Sequence, residues 1–291
     1  MQLHHERRLL KVLAPAPHIV RMVSFPNNPL AIIDHEIIMT EYLEYGTLNS
    51  FVLKSRQMNI VLPNRLLWSF FGCLLQATAA LAYPEQAALG KEFVPVTPKG
   101  IGAVPSLLQH NDLHDKNILL GEPAPDDRLR GFAPILKWVD FGLAGYFTGA
   151  NHAAEYGVRG NLRDVGEIMI CLLTREQWCN RRIRQSLTVN DQPGLTAYET
   201  EAVASYPSDG HPDPCAGLDA DFRAIVSLLC SRDRTRCPRL LDVMEFVNQR
   251  IGRNAAYYNN AVEEQDATRS RLWQHIVNAP STAPETIIIS S

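Results

Sequence analysis

Between Asn64 and Tyr83, apolar residues recur three or four positions apart: Leu66, Leu67, Phe70, Phe71, Leu74, Leu75 and Leu81, with Thr78 in the same stripe. That spacing predicts a long helix with one apolar face. A shorter helix is expected over 3–13, where Leu3, Leu9, Leu10 and Leu13 fall at helical spacing before Pro15 and Pro17 stop the pattern. The runs HIVRMVSF and AIIDHEIIMTEYL are rich in Ile and Val and are separated by the turn signal PNNP at 26–29. They predict two or three strands, with 30–43 forming a hairpin that ends in a strand. ILKWV at 135–139 predicts a further strand, and helices are expected at about 160–174, 219–230 and 239–251. The Pro- and Gly-containing stretch 84–106 reads as a surface loop, and the last twelve residues as a loose tail.

Strands and one helix therefore come first, and a larger helical part follows, an α+β arrangement that suggests two lobes. At 291 residues, 46% hydrophobic and 20% charged, the chain can bury a substantial core. Its net charge is -3, with Lys and Arg spread along the chain, so it has no basic footprint for nucleic acid. The six cysteines form no Cys-x-x-Cys pair and no zinc-like spacing with His, which points to reduced thiols in an intracellular setting, cytoplasmic or nuclear. No secretory leader pattern opens the chain. Runs such as IMICLL are far shorter than the ~20 residues that span a bilayer, so no membrane partner is expected.

The loop HNDLHDKN at 110–117 changes the picture. It spaces His110, Asp112 and Asn117 as H-x-D-x-x-x-x-N, and Asp140 follows in DFG directly after ILKWV. Phosphoryl transfer needs such oxygen-bearing groups: one carboxylate to orient the attacking hydroxyl, and a second carboxylate with an amide oxygen to hold the magnesium that bridges the phosphates. Asp112, Asp140 and Asn117 supply that set. The plainer reading is that Asp112 and Asn117 cap a tight turn. His110 is expected to hold the loop by backbone hydrogen bonds, and Asp115 and Lys116 to be solvated charges.

HNDLHDKN and DFG together resemble the catalytic loop and the magnesium-binding motif of the protein-kinase family. MTEYLEYGTL at 39–48 is similar to the kinase hinge. The resemblance implies that Thr40 gates the nucleotide pocket and that Glu41 to Leu43 offer backbone groups to adenine. Glu6, in HHERRLLKVL, matches the αC glutamate, and DADFRAIVSLLCSRDRTRCPRLLDVMEF resembles the closing kinase helices. The matches run from about residue 1 to 251. They imply a two-lobe kinase-like fold with a truncated N-lobe and hinge at 1–43, a C-lobe at 44–255, and a C-terminal extension and tail at 256–291. They also imply binding of ATP and Mg2+ and transfer of the γ-phosphate to a protein hydroxyl, Ser or Thr. The pattern is similar to that of kinase-like proteins encoded in fungal genomes.

Several positions depart from the family. No G-x-G-x-x-G precedes Glu6, and Lys11, the first lysine, lies on the same helix as Glu6. The resemblance therefore lacks the phosphate-covering loop and the lysine that stabilises the transferred charge. Asn111 stands where the catalytic-loop Arg is usual, and Asn161 where the large-lobe anchor is Asp; Glu155 with Arg236 is a candidate remnant of a conserved ion pair. A pseudokinase scaffold without turnover is one alternative. His114, which small-molecule kinases of the aminoglycoside and choline type often carry at this place, supports another.

Overall fold

The predicted apolar stripe at 64–82 becomes the central helix of the chain. In the computed structural model, helices span Gln2–Leu13 (α1), Leu48–Gln57 (α2), Asn64–Ala82 (α3), Pro84–Ala87 (α4), Tyr156–Thr174 (α5), Ala220–Leu229 (α6), Leu240–Ile251 (α7) and Asp266–Asn278 (α8). The structure describes residues 2–13, 15–27, 32–33, 35–87, 90–91, 104–123, 131–146, 156–176, 185–190, 196–208 and 210–280. Short antiparallel pairs are formed by Leu108–Gln109 (β1) with Gly145–Tyr146 (β4), by Ile118–Gly121 (β2) with Ile135–Trp138 (β3), and by Leu187–Val189 (β5) with Tyr198–Thr200 (β6). The class is thus mixed α and β, with helix dominant among the described residues.

Helix α3 is long and apolar enough to cross a membrane, but 94% of its apolar window lies inside the protein. It is sheathed by α5, α7 and β3. Trp68, Phe70 and Phe71 are fully buried, as expected of core residues, and Trp68 meets Phe222 of α6 edge-on at 4.7 Å between ring centroids. The indole N–H of Trp68 donates to Asp219 at 3.1 Å, which satisfies the one polar atom that this ring brings into the core. The first amides of α3 have no partner within the helix. The buried Glu264 carboxylate accepts them, from Asn64 N at 2.7 Å and Arg65 N at 2.8 Å, and adds negative charge at the positive end of the helix dipole.

Three expectations need correction. Among their described residues, the Ile- and Val-rich runs at 18–25 and 31–43 form isolated bridges, Ile19 with Trp138 and Met22 with Thr40, and no regular strand, while residues 30, 31 and 34 of the expected hairpin lie outside the described residues. Each contact is one residue pair long because segment 19–23 turns from β3 to segment 38–41 within a few residues. Asp115 is not a solvated loop charge: it is 2% exposed and accepts from Asn49 of α2 at 2.8 Å, whereas Lys116 is exposed. The C-terminal extension also carries an unanticipated helix. Helix α8 docks through Trp273, whose N–H donates to the Phe132 carbonyl at 3.0 Å, and Lys54 of α2 caps its last turn at Val277 O, 2.7 Å away. Residues 281–291, Glu155 and most of 88–103 lie outside the described residues. Arg236 bonds Thr196, through the carbonyl at 3.0 Å and the hydroxyl at 2.7 Å.

Candidate functional site

The sequence motifs meet because β2 and β3 pair in a register that sets Ile118 opposite Trp138. One residue further on, the Val139 N–H donates to the Asn117 carbonyl at 3.0 Å, so the end of loop 110–117 lies against the residue before Asp140. The Asn117 side-chain amide turns back across its own loop and donates to the Asp112 carbonyl at 2.8 Å, with the Asp112 carboxylate 3.4 Å away. Asp112, Asn117 and Asp140 are therefore gathered at one end of the β2–β3 pair. Because its N–H2 is used internally, the Asn117 amide presents its carbonyl oxygen as an acceptor with no hydrogen bond among the described residues.

The loop is held from beneath. His110 is fully buried, and its Nε2 bonds the Val139 carbonyl at 3.1 Å. Burial pushes its pKa down to about 4, against the opposing pull of that carbonyl and of Asp140 and Asp112, so it stands neutral near pH 7. Asn161 of α5 accepts the His110 backbone N–H at 3.0 Å and donates to the Leu108 carbonyl at 3.0 Å. Gly160 makes this approach feasible: a Cβ there would stand 2.4 Å from the Gln109 amide. Asn111 sits at φ 65°, in the left-handed region that Asn tolerates, and its amide donates to Leu143 O at 3.1 Å.

Asp140 also has a positive φ, 62°, and its exposed carboxylate accepts the Gly142 N–H at 3.3 Å. A non-glycine residue in this region is uncommon and tends to persist where surrounding contacts impose it. Here Glu6 of α1 supplies one, accepting the Phe141 N–H at 3.2 Å. Glu6 is therefore half-buried against the 140–142 turn, where burial, with Asp140 adding to it, outweighs the amide bond and raises its pKa. Among the described residues no cation pairs with it. His114 lies beside Asp112, with Nε2 3.7 Å from a carboxylate oxygen, while its Nδ1 accepts the Lys116 N–H at 3.2 Å.

Segment 43–47 runs along β2 from Thr47 beside Leu119 to Leu43 beside Gly121, away from the end that carries Asp112, Asn117 and Asp140. Tyr45 N donates to Leu120 O at 3.3 Å and Leu120 N to Gly46 O at 2.9 Å, which lays the segment beside β2. Thr40 is exposed, and Leu43 packs over Gly121, where a Cβ would come within 2.5 Å of its methyl. The Glu41 side chain is committed elsewhere: it receives Lys137 Nζ at 2.6 Å and the Arg21 N–H at 2.8 Å.

The loop clamp by Asn161 and the Asn49–Asp115 bond were not foreseen. Both rest on partners about 50 to 66 residues away in sequence, which no local pattern signals. A hard divalent cation needs oxygen donors, and Asp140 with the Asn117 side-chain carbonyl offers two that could hold magnesium with phosphate oxygens and water completing its shell. No group of three His, Cys, Asp or Glu residues capable of holding a metal by themselves occurs among the described residues. No protein-family profile matches the chain, and no curated protein matches it.

Proposed function

We propose that the chain is an ATP-dependent phosphotransferase of the protein-kinase type, with a small lobe built on α1 and residues 18–43 and a larger helical lobe from residue 44 onward. The observation that carries this reading is the junction of Asn117 with both partners: its carbonyl bonded to Val139, next to Asp140, and its side chain bonded to Asp112. In this reading Asp112 orients the acceptor hydroxyl of a protein Ser or Thr and takes its proton as the oxygen–phosphorus bond forms and the bond to the departing ADP breaks. Asp140 and the Asn117 oxygen would hold Mg2+, which would offset charge on the phosphates. Thr40, Glu41 and Leu43 line the adenine end through backbone groups, with Leu43 seated over Gly121. His110 stays neutral beneath the loop and holds its shape.

A second reading, a nucleotide-free or non-catalytic scaffold of the same fold, is favoured by one observation: among the described residues Glu6 meets the Phe141 N–H and no cation, and Lys137 is committed to Glu41. The two readings separate in a thermal-shift titration, since a ligand that binds only the folded chain raises its melting temperature. ATP with magnesium should raise it more than ATP alone, and Asp140→Ala should remove the difference. No shift with either, in a chain that melts cooperatively, would favour the scaffold.

A further inference from the structure

We propose that the cavity between the start of α3, the end of α5 and loop 213–218 is a binding site for a small apolar monocarboxylic acid, with Arg175 receiving the carboxylate. It is built from residues that the phosphotransfer reading does not use, so the two can fail separately. The cavity holds about 440 Å³, inside the ~300–1,000 Å³ range of small-molecule sites. Leu62, Leu67, Leu172, Leu173 and Leu218 give it apolar walls, the first three of them buried. One wall is held in place before any ligand arrives. Arg223 donates to the Asp213 carboxylate at 2.7 Å and to the Cys215 carbonyl at 3.1 Å. Asn64, at the start of α3, donates to the Gly217 carbonyl at 3.1 Å and accepts the Asp219 N–H at 2.7 Å. A ligand entering a site fixed in this way loses little affinity to ordering the protein.

The charge of the ligand follows from Arg175. This residue closes α5 at φ 56°, and its Nη1 donates to Asn59 Oδ1 at 3.1 Å and to the Ile60 carbonyl at 3.4 Å. Both acceptors are neutral, and among the described residues no carboxylate pairs with the guanidinium. Its five N–H donors exceed those two bonds and suit a carboxylate. The Arg175 charge also reaches the cavity lining: burial raises the pKa of the Cys215 thiol, with Asp213 adding to it, while Arg223 and Arg175 oppose the rise. Two carboxylates lie in the lining, Asp213, which is paired with Arg223, and Glu263, which is exposed. They would repel a second negative charge, so a single carboxylate fits better than a phosphate.

The test is calorimetric titration of the full chain with phenylbutyrate and with phenylbutanol, the matching alcohol. Maleimide labelling of Cys215, read by peptide mass spectrometry, reports where the acid binds. The wild type should bind the acid with a Kd below about 1 mM and at least about tenfold more tightly than the alcohol. Labelling of Cys215 should slow in step with occupancy. Arg175→Gln, at a half-exposed side chain, should erase the preference for the acid; if that variant does not fold, the acid-to-alcohol ratio and the Cys215 protection of the wild type carry the test. No saturation by about 1 mM, equal affinity for acid and alcohol, unchanged Cys215 labelling in the occupied protein, or an acid preference retained by folded Arg175→Gln would overturn the proposal.

Discussion

The side chain of Asn161 grips His110 and Leu108 at once, accepting the His110 N–H and donating to the Leu108 carbonyl, each at 3.0 Å. One amide thus ties the strand before the loop to the first residue of the loop, from a buried position on α5. A carboxylate could reproduce only the acceptor half and would face the Leu108 carbonyl with like polarity.

Asn161→Ala should therefore destabilise the fold by about 1–3 kcal/mol, because two buried backbone groups lose their partner. Asn161→Asp should also destabilise. Urea denaturation measures both, and an Asp variant as stable as wild type would show that the donor half of the clamp contributes nothing.

His110 makes stability depend on pH. Its pKa is about 4 in the folded chain against 6.5 ordinarily, so below pH 6.5 the unfolded chain binds the proton more readily. The stabilisation from keeping the ring neutral is complete above pH 6.5 and is lost as pH falls toward 4, about 3 kcal/mol in all. Denaturation midpoints at pH 7, 6 and 5 should fall for the wild type. His110→Gln, measured over the same range, should lack this component of the decline.

Glu264 completes α3 from the C-terminal segment. Glu264→Gln keeps the shape but replaces a charged acceptor for two helix amides by a neutral one, at an expected cost of about 1–2 kcal/mol in urea. Cutting the chain before residue 264 should cost more, because Trp273 and Ile276 leave the core as well.

Turnover, if present, should rest on Asp112. Asp112→Asn should leave the ATP-dependent thermal shift in place and lower phosphate transfer to a Ser/Thr peptide mixture by at least ~100-fold, as expected when a general base is lost. Equal transfer by the two proteins would remove Asp112 from that role.

Gly121→Ala would push a methyl to 2.5 Å from the Leu43 side chain. Because the end of a leucine can move, the stability cost should be modest, about 1 kcal/mol. The displaced Leu43 should weaken nucleotide binding by a larger relative factor, readable as a rise in the ATP concentration that half-saturates the thermal shift.

Much of the helical framework was legible because it is written in local period. Helices α1, α3, α5, α6 and α7 lie where apolar spacing, Pro stops and polar turns place them. Helix α2 carried a readable but unused sign, Thr47 ahead of LNSF, whose hydroxyl accepts the Ser50 N–H at 3.1 Å as a helix cap. Helix α8 had a weaker one, since only Arg269, Trp273 and Ile276 of its thirteen residues are buried and the stripe is narrow. The described parts of 18–43 form bridges and not the expected strands because Ile and Val content reports a preference for extended backbone, while strand length depends on a partner that local sequence does not name.

By itself, the sequence determined the helical framework and singled out the residues on which the proposed function rests: Asp112 and Asn117 ahead of a β pair and Asp140 behind it. Tertiary structure alone decided that loop 110–117 lies against the residue before Asp140, that Asp115 is buried on Asn49 while Lys116 is exposed, and that Glu41 is paired with Lys137. The reason is physical. Helical period and turn chemistry act between residues a few positions apart, whereas a buried hydrogen bond or ion pair is set by which distant segment packs alongside, and that is resolved only when the whole core closes around α3.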